Sequence, residues 1–268
     1  MIQTSQPQIE SALEIVSAEI DALTAEERSF RSFLARLVAL DVPERDARTT
    51  APTPALAGGA GPHSAAPLVR GSALDAPRPS EAIQCVRDAY SETVMAVPHY
   101  ETEYGDTLRE SLSAEFGSRV AGSVVDAQSF TPLLRDALLE GAERARRERE
   151  RFLAVVRDER ESLEGLEAGL NECERRAVEL GTGRGGPGDV PPADALAELR
   201  ALERRCESLA ERRQATIHDR VVPATAGVEA RSLARYLYAD EPTTCPGLAA
   251  VVDCVRTIRN AHTRLECR

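Results

Sequence analysis

The sequence predicts an all-α fold, a long antiparallel helical hairpin or coiled coil packed with shorter helices, and no sheet. Three observations lead there. Apolar residues recur at alternating spacings of three and four along most of the chain, the period of a helix with one buried stripe. No useful length alternates with period two, as a half-exposed strand would. Pro and Gly gather in a few blocks between the periodic runs, where they end helices without interrupting them.

Residues 1–42 read as an N-terminal amphipathic helix. Ile9, Leu13, Val16, Ile20, Leu23, Phe30, Leu34 and Leu37 form a heptad seam, interrupted once, by Glu27. The simplest reading of Glu27 is a carboxylate that snorkels out or sits at a helix bend near Thr24, in preference to a register-setting role. Residues 43–79 follow as a disordered linker rich in Pro, Ala and Gly, because such a stretch buries too little surface to offset its conformational entropy. His63 within it is read as solvated, and the first helix is free to dock in cis or on another chain.

Residues 80–268 read as a helical domain. Ser80 and Glu81 open a helix with Ile83, Val86, Tyr90, Val94 and Val97 on one face, stopped by Pro98. Leu108, Leu112 and Phe116 mark a shorter helix ended by Gly117, and another covers Val120 to Ala127. Thr131 followed by Pro132 is a strong start signal, a cap and then Pro at the first helical position. The run it opens reaches Leu180 without a Pro, about 75 Å of helix. Its seam is Leu138, Ala142, Ala145, Arg149, Phe152, Val156, Glu159, Leu163, Leu166, Leu170, Cys173, Ala177 and Leu180.

A Gly/Pro connection from Gly181 to Pro192 leads into a helix marked by Leu196, Leu199, Leu202, Cys206, Leu209 and Ile217. Two long amphipathic helices joined this briefly lie antiparallel, which gives a hairpin over 131–222. Helices near Val228–Tyr238 and from Pro246 to about Leu265 complete the chain, the last with Leu248, Val251, Val252, Val255, Ile258 and Leu265 apolar.

Composition removes several function classes. All 33 basic residues are arginine, so lysine Schiff-base and P-loop chemistry has no lysine to use. Against 44 carboxylates they leave a formal charge of −11, which disfavours nucleic acid and anionic membrane surfaces as partners. Adaptation to high salt and a GC-rich genome would each produce this balance. Aromatics are 4% and tryptophan is absent, so platforms for stacking bases or sugars are few. With no membrane-length apolar run and no signal-peptide pattern, a cytoplasmic location is expected. Six cysteines without a CxxC spacing read as reduced core residues.

Three constellations are candidates for chemistry. His99, Glu103 and Tyr104 stand in a helix break with Tyr100 and Glu101, where His99 could serve as a general base, yet no nucleophile partner or phosphate loop accompanies them. A structured turn in which the tyrosines pack is the simpler reading. Cys254, His262 and Cys267 carry zinc-ligand types. Eight residues separate Cys254 from His262 on one helix, which is too far for a shared ion, so neither metal nor cofactor is expected. The cluster Arg144, Arg146, Arg147, Arg149 and Arg151 is interleaved with Glu140, Glu143, Glu148 and Glu150 at i, i+4 spacings, the pattern of a self-paired helix surface. His218 suits a contact with its helix C-terminus.

Two segments carry a resemblance. They are Glu92-Thr93-Val94-Met95-Ala96-Val97-Pro98-His99-Tyr100, continued by Glu103-Tyr104-Gly105 and Ala114-Glu115-Phe116-Gly117, and Tyr236-Leu237-Tyr238-Ala239-Asp240-Glu241-Pro242 leading to Pro246-Gly247-Leu248. Together they resemble an uncharacterised helical family, a domain of unknown function, of halophilic archaea. The resemblance runs from about Ile9 to Leu265 with the linker outside it, and implies an all-helical fold without assigning active-site residues. Gly247 departs from it, since a branched apolar residue is expected there.

The expected function is therefore a non-enzymatic interaction or scaffold protein. Its coiled-coil surface centres on Arg149, Phe152, Val156, Glu159 and Leu163 and meets a second copy or a helical protein, with Arg149 and Glu159 facing each other's counterparts in a dimer. The alternatives are a nucleic-acid-associated regulator using arginines 144–151 and an enzyme centred on His99.

Overall fold

The computed structural model describes residues 7–40, 79–127, 129–182, 191–219 and 233–267. Among them are nine α-helices, one 3-10 turn and no strand, as the periodicity predicts. The helices are α1 (Pro7–Ala39), α2 (Pro79–Thr93), α3 (Tyr100–Glu103), α4 (Leu108–Phe116), α5 (Ser118–Val125), α6 (Pro132–Thr182), α7 (Pro192–Asp219), α8 (Leu233–Leu237) and α9 (Pro246–Glu266), with the 3-10 turn at Val94–Ala96. The linker reading at 43–78 lies outside the described residues, as do most of the connection after Gly181 and the end of the hairpin near Val222. Packing divides the chain into two compact units, one of Met1–Glu27 with Arg146–Arg268 and one of Arg28–Ala145, so α1 and α6 each supply residues to both.

In the first unit the seams of α1, α6, α7, α8 and α9 share one core. On α6, Phe152, Val156, Leu163, Leu166, Leu170, Cys173, Ala177 and Leu180 are all buried, which is the seam the heptad spacing predicts. Cross-helix pairs give the direction of α7: Arg176 bonds Glu198 while Glu159, earlier on α6, bonds Arg213, later on α7. The two helices are antiparallel. The start of α1 docks in cis, with Gln8 Nε2 donating to Asp253 and Ser11 Oγ to Glu241. On α9, Val252 is 58% exposed, and the buried face runs through Gly247, Ala250, Val251, Cys254, Ile258 and Ala261.

Gly247, where a branched residue was expected, is explained by close approach. A Cβ there would come within 2.8 Å of Leu166 Cδ2 and 3.4 Å of Arg213 Nε. The helices meet too closely for a side chain.

In the second unit Phe33, Tyr90 and Phe116 pack edge to face, with centroids 5.2 to 6.3 Å apart. The Phe116 ring lies on Gly141, where a Cβ would collide with it. Some helix ends are closed by side chains. Thr107 and Glu110 form a reciprocal capping box at α4, and Thr131 Oγ1 accepts the Leu134 N–H at the start of α6. The Arg87 fork donates to the Val124, Val125 and Ala127 carbonyls that α5 leaves unpaired.

Candidate functional site

A buried stripe on a long helix should be apolar, so the polar residues in the α6 seam mark where the fold does something other than pack. Glu159 is 1% exposed and lies among leucines and valines. Its antiparallel neighbour α7 places Arg213 opposite, and Arg213 Nη2 and Nη1 donate to Oε1 at 2.6 Å and Oε2 at 2.9 Å. Tyr238, just after α8, donates its hydroxyl to the same Oε1 at 2.7 Å. Nη1 of Arg213 also donates to Ser162 Oγ, one helical turn along α6. Four groups from three segments thus close one charge pair within the core, and both carboxylate oxygens are taken.

A second polar layer lies where α1 meets α6. Arg149 Nε donates to Glu26 Oε2 at 2.9 Å, and Arg146 Nη1 reaches both Glu27 at 3.2 Å and Glu150 at 3.3 Å. Glu26 and Glu27 are buried, so the snorkelling reading of Glu27 is corrected: it is paired across helices, inside. In the sequence, Arg149 and Glu159 read as facing each other's counterparts in a dimer. Their partners are Glu26 and Arg213 of the same chain, and Phe152, Val156 and Leu163 are buried in its core.

These layers position groups and lock register; with every carboxylate oxygen of Glu159 occupied, they leave no open coordination for a substrate. Beside them is a cleft of about 180 Å³ lined by Ser162, Gly165, Leu166, Leu209, Arg213 and Thr216.

His99 is half-buried at the start of α3, a short helix where a break was read; its carbonyl accepts from Thr102 Oγ1 and the Glu103 N–H. Tyr104 is 48% exposed and packs on Tyr100, with centroids 5.6 Å apart, while burial raises the Tyr100 hydroxyl above its ordinary range. Glu103 is exposed. Cys254, His262 and Cys267 are not brought together: α9 runs unbroken, Cys254 is buried, His262 Nδ1 is 3.5 Å from Glu266, and Cys267 is exposed. In the arginine cluster, Arg146 and Arg149 turn to α1 carboxylates while Arg144, Arg147 and Arg151 face solvent. His218 lies in the exposed last turn of α7.

The family described as a domain of unknown function (DUF7260) matches residues 7–262. The chain belongs to it. No curated protein and no solved structure matches the chain. The DUF7260 span takes in the 43–78 segment and every residue of both polar layers, and stops before Cys267. The segment Tyr236–Pro242, which carries the resemblance, also acquires a physical role. Tyr238 holds Glu159, Tyr236 donates to Glu19 and packs on Phe152 at 5.8 Å, and Glu241 accepts from Ser11. Within DUF7260 this stretch therefore ties α1 to α6. No described helix is long and apolar enough to cross a membrane.

Proposed function

We propose that the chain is a non-enzymatic helical interaction protein that receives an apolar side chain from a helical protein partner. The observation that carries this reading is Leu133, 81% exposed in the first turn of α6. It borders a cleft of about 290 Å³ whose other walls include Val120, Ala127, Leu134 and Ala137. A large apolar side chain held in water beside an apolar cleft is what a helix-in-groove partner covers. The seam on α6, by contrast, is already filled by the chain's own helices, so the interaction surface moves from the seam to this end of α6.

The arginine cluster supports the same choice over nucleic acid. Two of its five guanidinium groups are spent on Glu26 and Glu27, and the chain as a whole carries −11.

The test is photo-crosslinking from position 133 under native salt, with unlabelled wild-type chain as competitor and Leu133→Asp chain as its control. Repeated capture of one helical protein, abolished by excess wild-type chain and untouched by excess Leu133→Asp chain, supports the proposal. Capture of a second copy of the chain, with a dimer mass in light scattering, replaces the partner by self-association. Crosslinks indistinguishable from those of an exposed control position on α7 remove the surface altogether.

A further inference from the structure

Two thiols meet in the core of the first unit, where α7 packs on α9. Cys206 and Cys254 are both fully buried, and their sulfurs lie 3.6 Å apart. Cys254 Sγ also donates to the Leu170 carbonyl at 3.7 Å, which leaves Cys206 as the donor in the contact between the sulfurs. The register that brings the pair together is pinned on both sides. Arg259 Nε on α9 donates to Glu203 on α7 at 3.1 Å, and towards the start of α9 a Cβ on Gly247 would stand 3.4 Å from Arg213 Nε. The two helices therefore run antiparallel and touch on either side of the sulfurs.

We propose that Cys206 and Cys254 form a redox clip, which hydrogen peroxide converts to a disulfide tying α9 to α7. A disulfide holds its sulfurs about 2.05 Å apart, so this pair needs to close by only about 1.5 Å, a displacement that rotation about the two Cα–Cβ bonds shares between them. The thiols as they stand, reduced and packed in the core, are the resting state. Peroxide is close to water in size, so a brief local opening of the core admits it.

Atoms and electrons balance. The Cys206 sulfur attacks one peroxide oxygen, the O–O bond breaks, and the other oxygen leaves as water with the proton that Cys206 gives up, so Cys206 becomes a sulfenic acid. The Cys254 sulfur then attacks the Cys206 sulfur, the S–O bond breaks, and a second water leaves with the Cys254 proton. Two thiols lose two electrons, peroxide becomes two waters, and the dry core gains no charge. The link closes a span of chain that holds α8, Tyr238 and Gly247. It thus fastens the segment whose Tyr238 hydroxyl bonds Glu159, and oxidation tightens the seal over the buried charge pair.

The test uses the full chain with Cys85→Ser, Cys245→Ser and Cys267→Ser, which removes the cysteines that are not buried and keeps Cys173 as an internal control. The folded protein is treated with peroxide, unfolded with an alkylating agent to cap free thiols, and cut with trypsin. Peptide 206–212 is expected to be joined to peptide 236–256 by a bond that dithiothreitol breaks, with Cys173 alkylated in peptide 161–175. The thermal midpoint of the oxidised protein is expected to rise by about 5 °C or more and to return on reduction. Adding Cys254→Ser, checked for its helical circular dichroism, is expected to abolish both the link and the rise. Absence of the 206–254 link after peroxide, whether Cys206 stays a thiol, passes to sulfinic acid or joins Cys173, overturns the proposal. So does a linked protein whose midpoint is unchanged or lower.

Discussion

Arg213 grips Glu159 with both arms of its guanidinium, at 2.6 and 2.9 Å, while 4% and 1% of the two side chains remain exposed. Both charges are desolvated, and each is tolerable only because the other is there. Replacing Arg213 by Met keeps the bulk and strands a carboxylate in the core. Arg213→Met is expected to lower unfolding free energy by about 3–5 kcal/mol, read from urea unfolding followed by circular dichroism.

Tyr238→Phe probes the same carboxylate more gently. It removes the hydroxyl that donates to Glu159 Oε1 at 2.7 Å and leaves the Arg213 pair in place. A hydrogen bond to a charged group contributes about 1.5–3 kcal/mol, and a loss in that range is expected in thermal or urea unfolding.

Two glycines on facing helices should respond with opposite sign. At Gly247 a side chain meets Leu166, so Gly247→Val is expected to destabilise by about 1–3 kcal/mol through overpacking. At Gly165, in mid-helix α6, a Cβ meets nothing within 4 Å, so Gly165→Ala is expected to stabilise by about 0.5–1 kcal/mol through helix propensity. Paired melting curves check both.

The Arg176–Glu198 bridge between α6 and α7 sets an acid dependence. Hydrogen bonding from Arg176 holds the Glu198 carboxyl below its ordinary value, against a smaller opposing effect of burial. A depressed folded value stabilises above the unfolded carboxylate value and is lost as pH falls through the folded one. The pair is about one-third exposed, so solvent and salt screen it and the effect is small. Arg176→Gln is expected to return Glu198 to the normal range in an NMR titration and to flatten the acid limb of the stability profile.

The helices were legible in sequence because a buried stripe writes its period into the chain. The α6 seam, the Thr131–Pro132 start and the antiparallel α7 all follow from local rules. The polar network was half legible. Glu27, Arg149 and Glu159 stood out as breaks in apolar seams, but their partners did not, because pairing depends on register between helices. One signal was available: between Leu209 and Ile217 the α7 pattern skips a seam position, and Arg213 occupies it. The contact of Cys206 with Cys254, sulfurs 3.6 Å apart, was invisible for the same reason, since the two lie on different helices with no motif spacing. On α9 small residues, Gly247, Ala250 and Ala261, took the buried face from larger Val252 because the helices approach closely there.

The central claim is that one chain closes its own seam through Glu159 and Arg213, and a double-mutant cycle tests it most directly. Urea unfolding of Glu159→Met, Arg213→Met and the double variant gives the coupling. The expected result is that each single variant is strongly destabilised while the double variant recovers, with a coupling of about 2 kcal/mol or more. Additive losses, within about 0.5 kcal/mol, would contradict the claim.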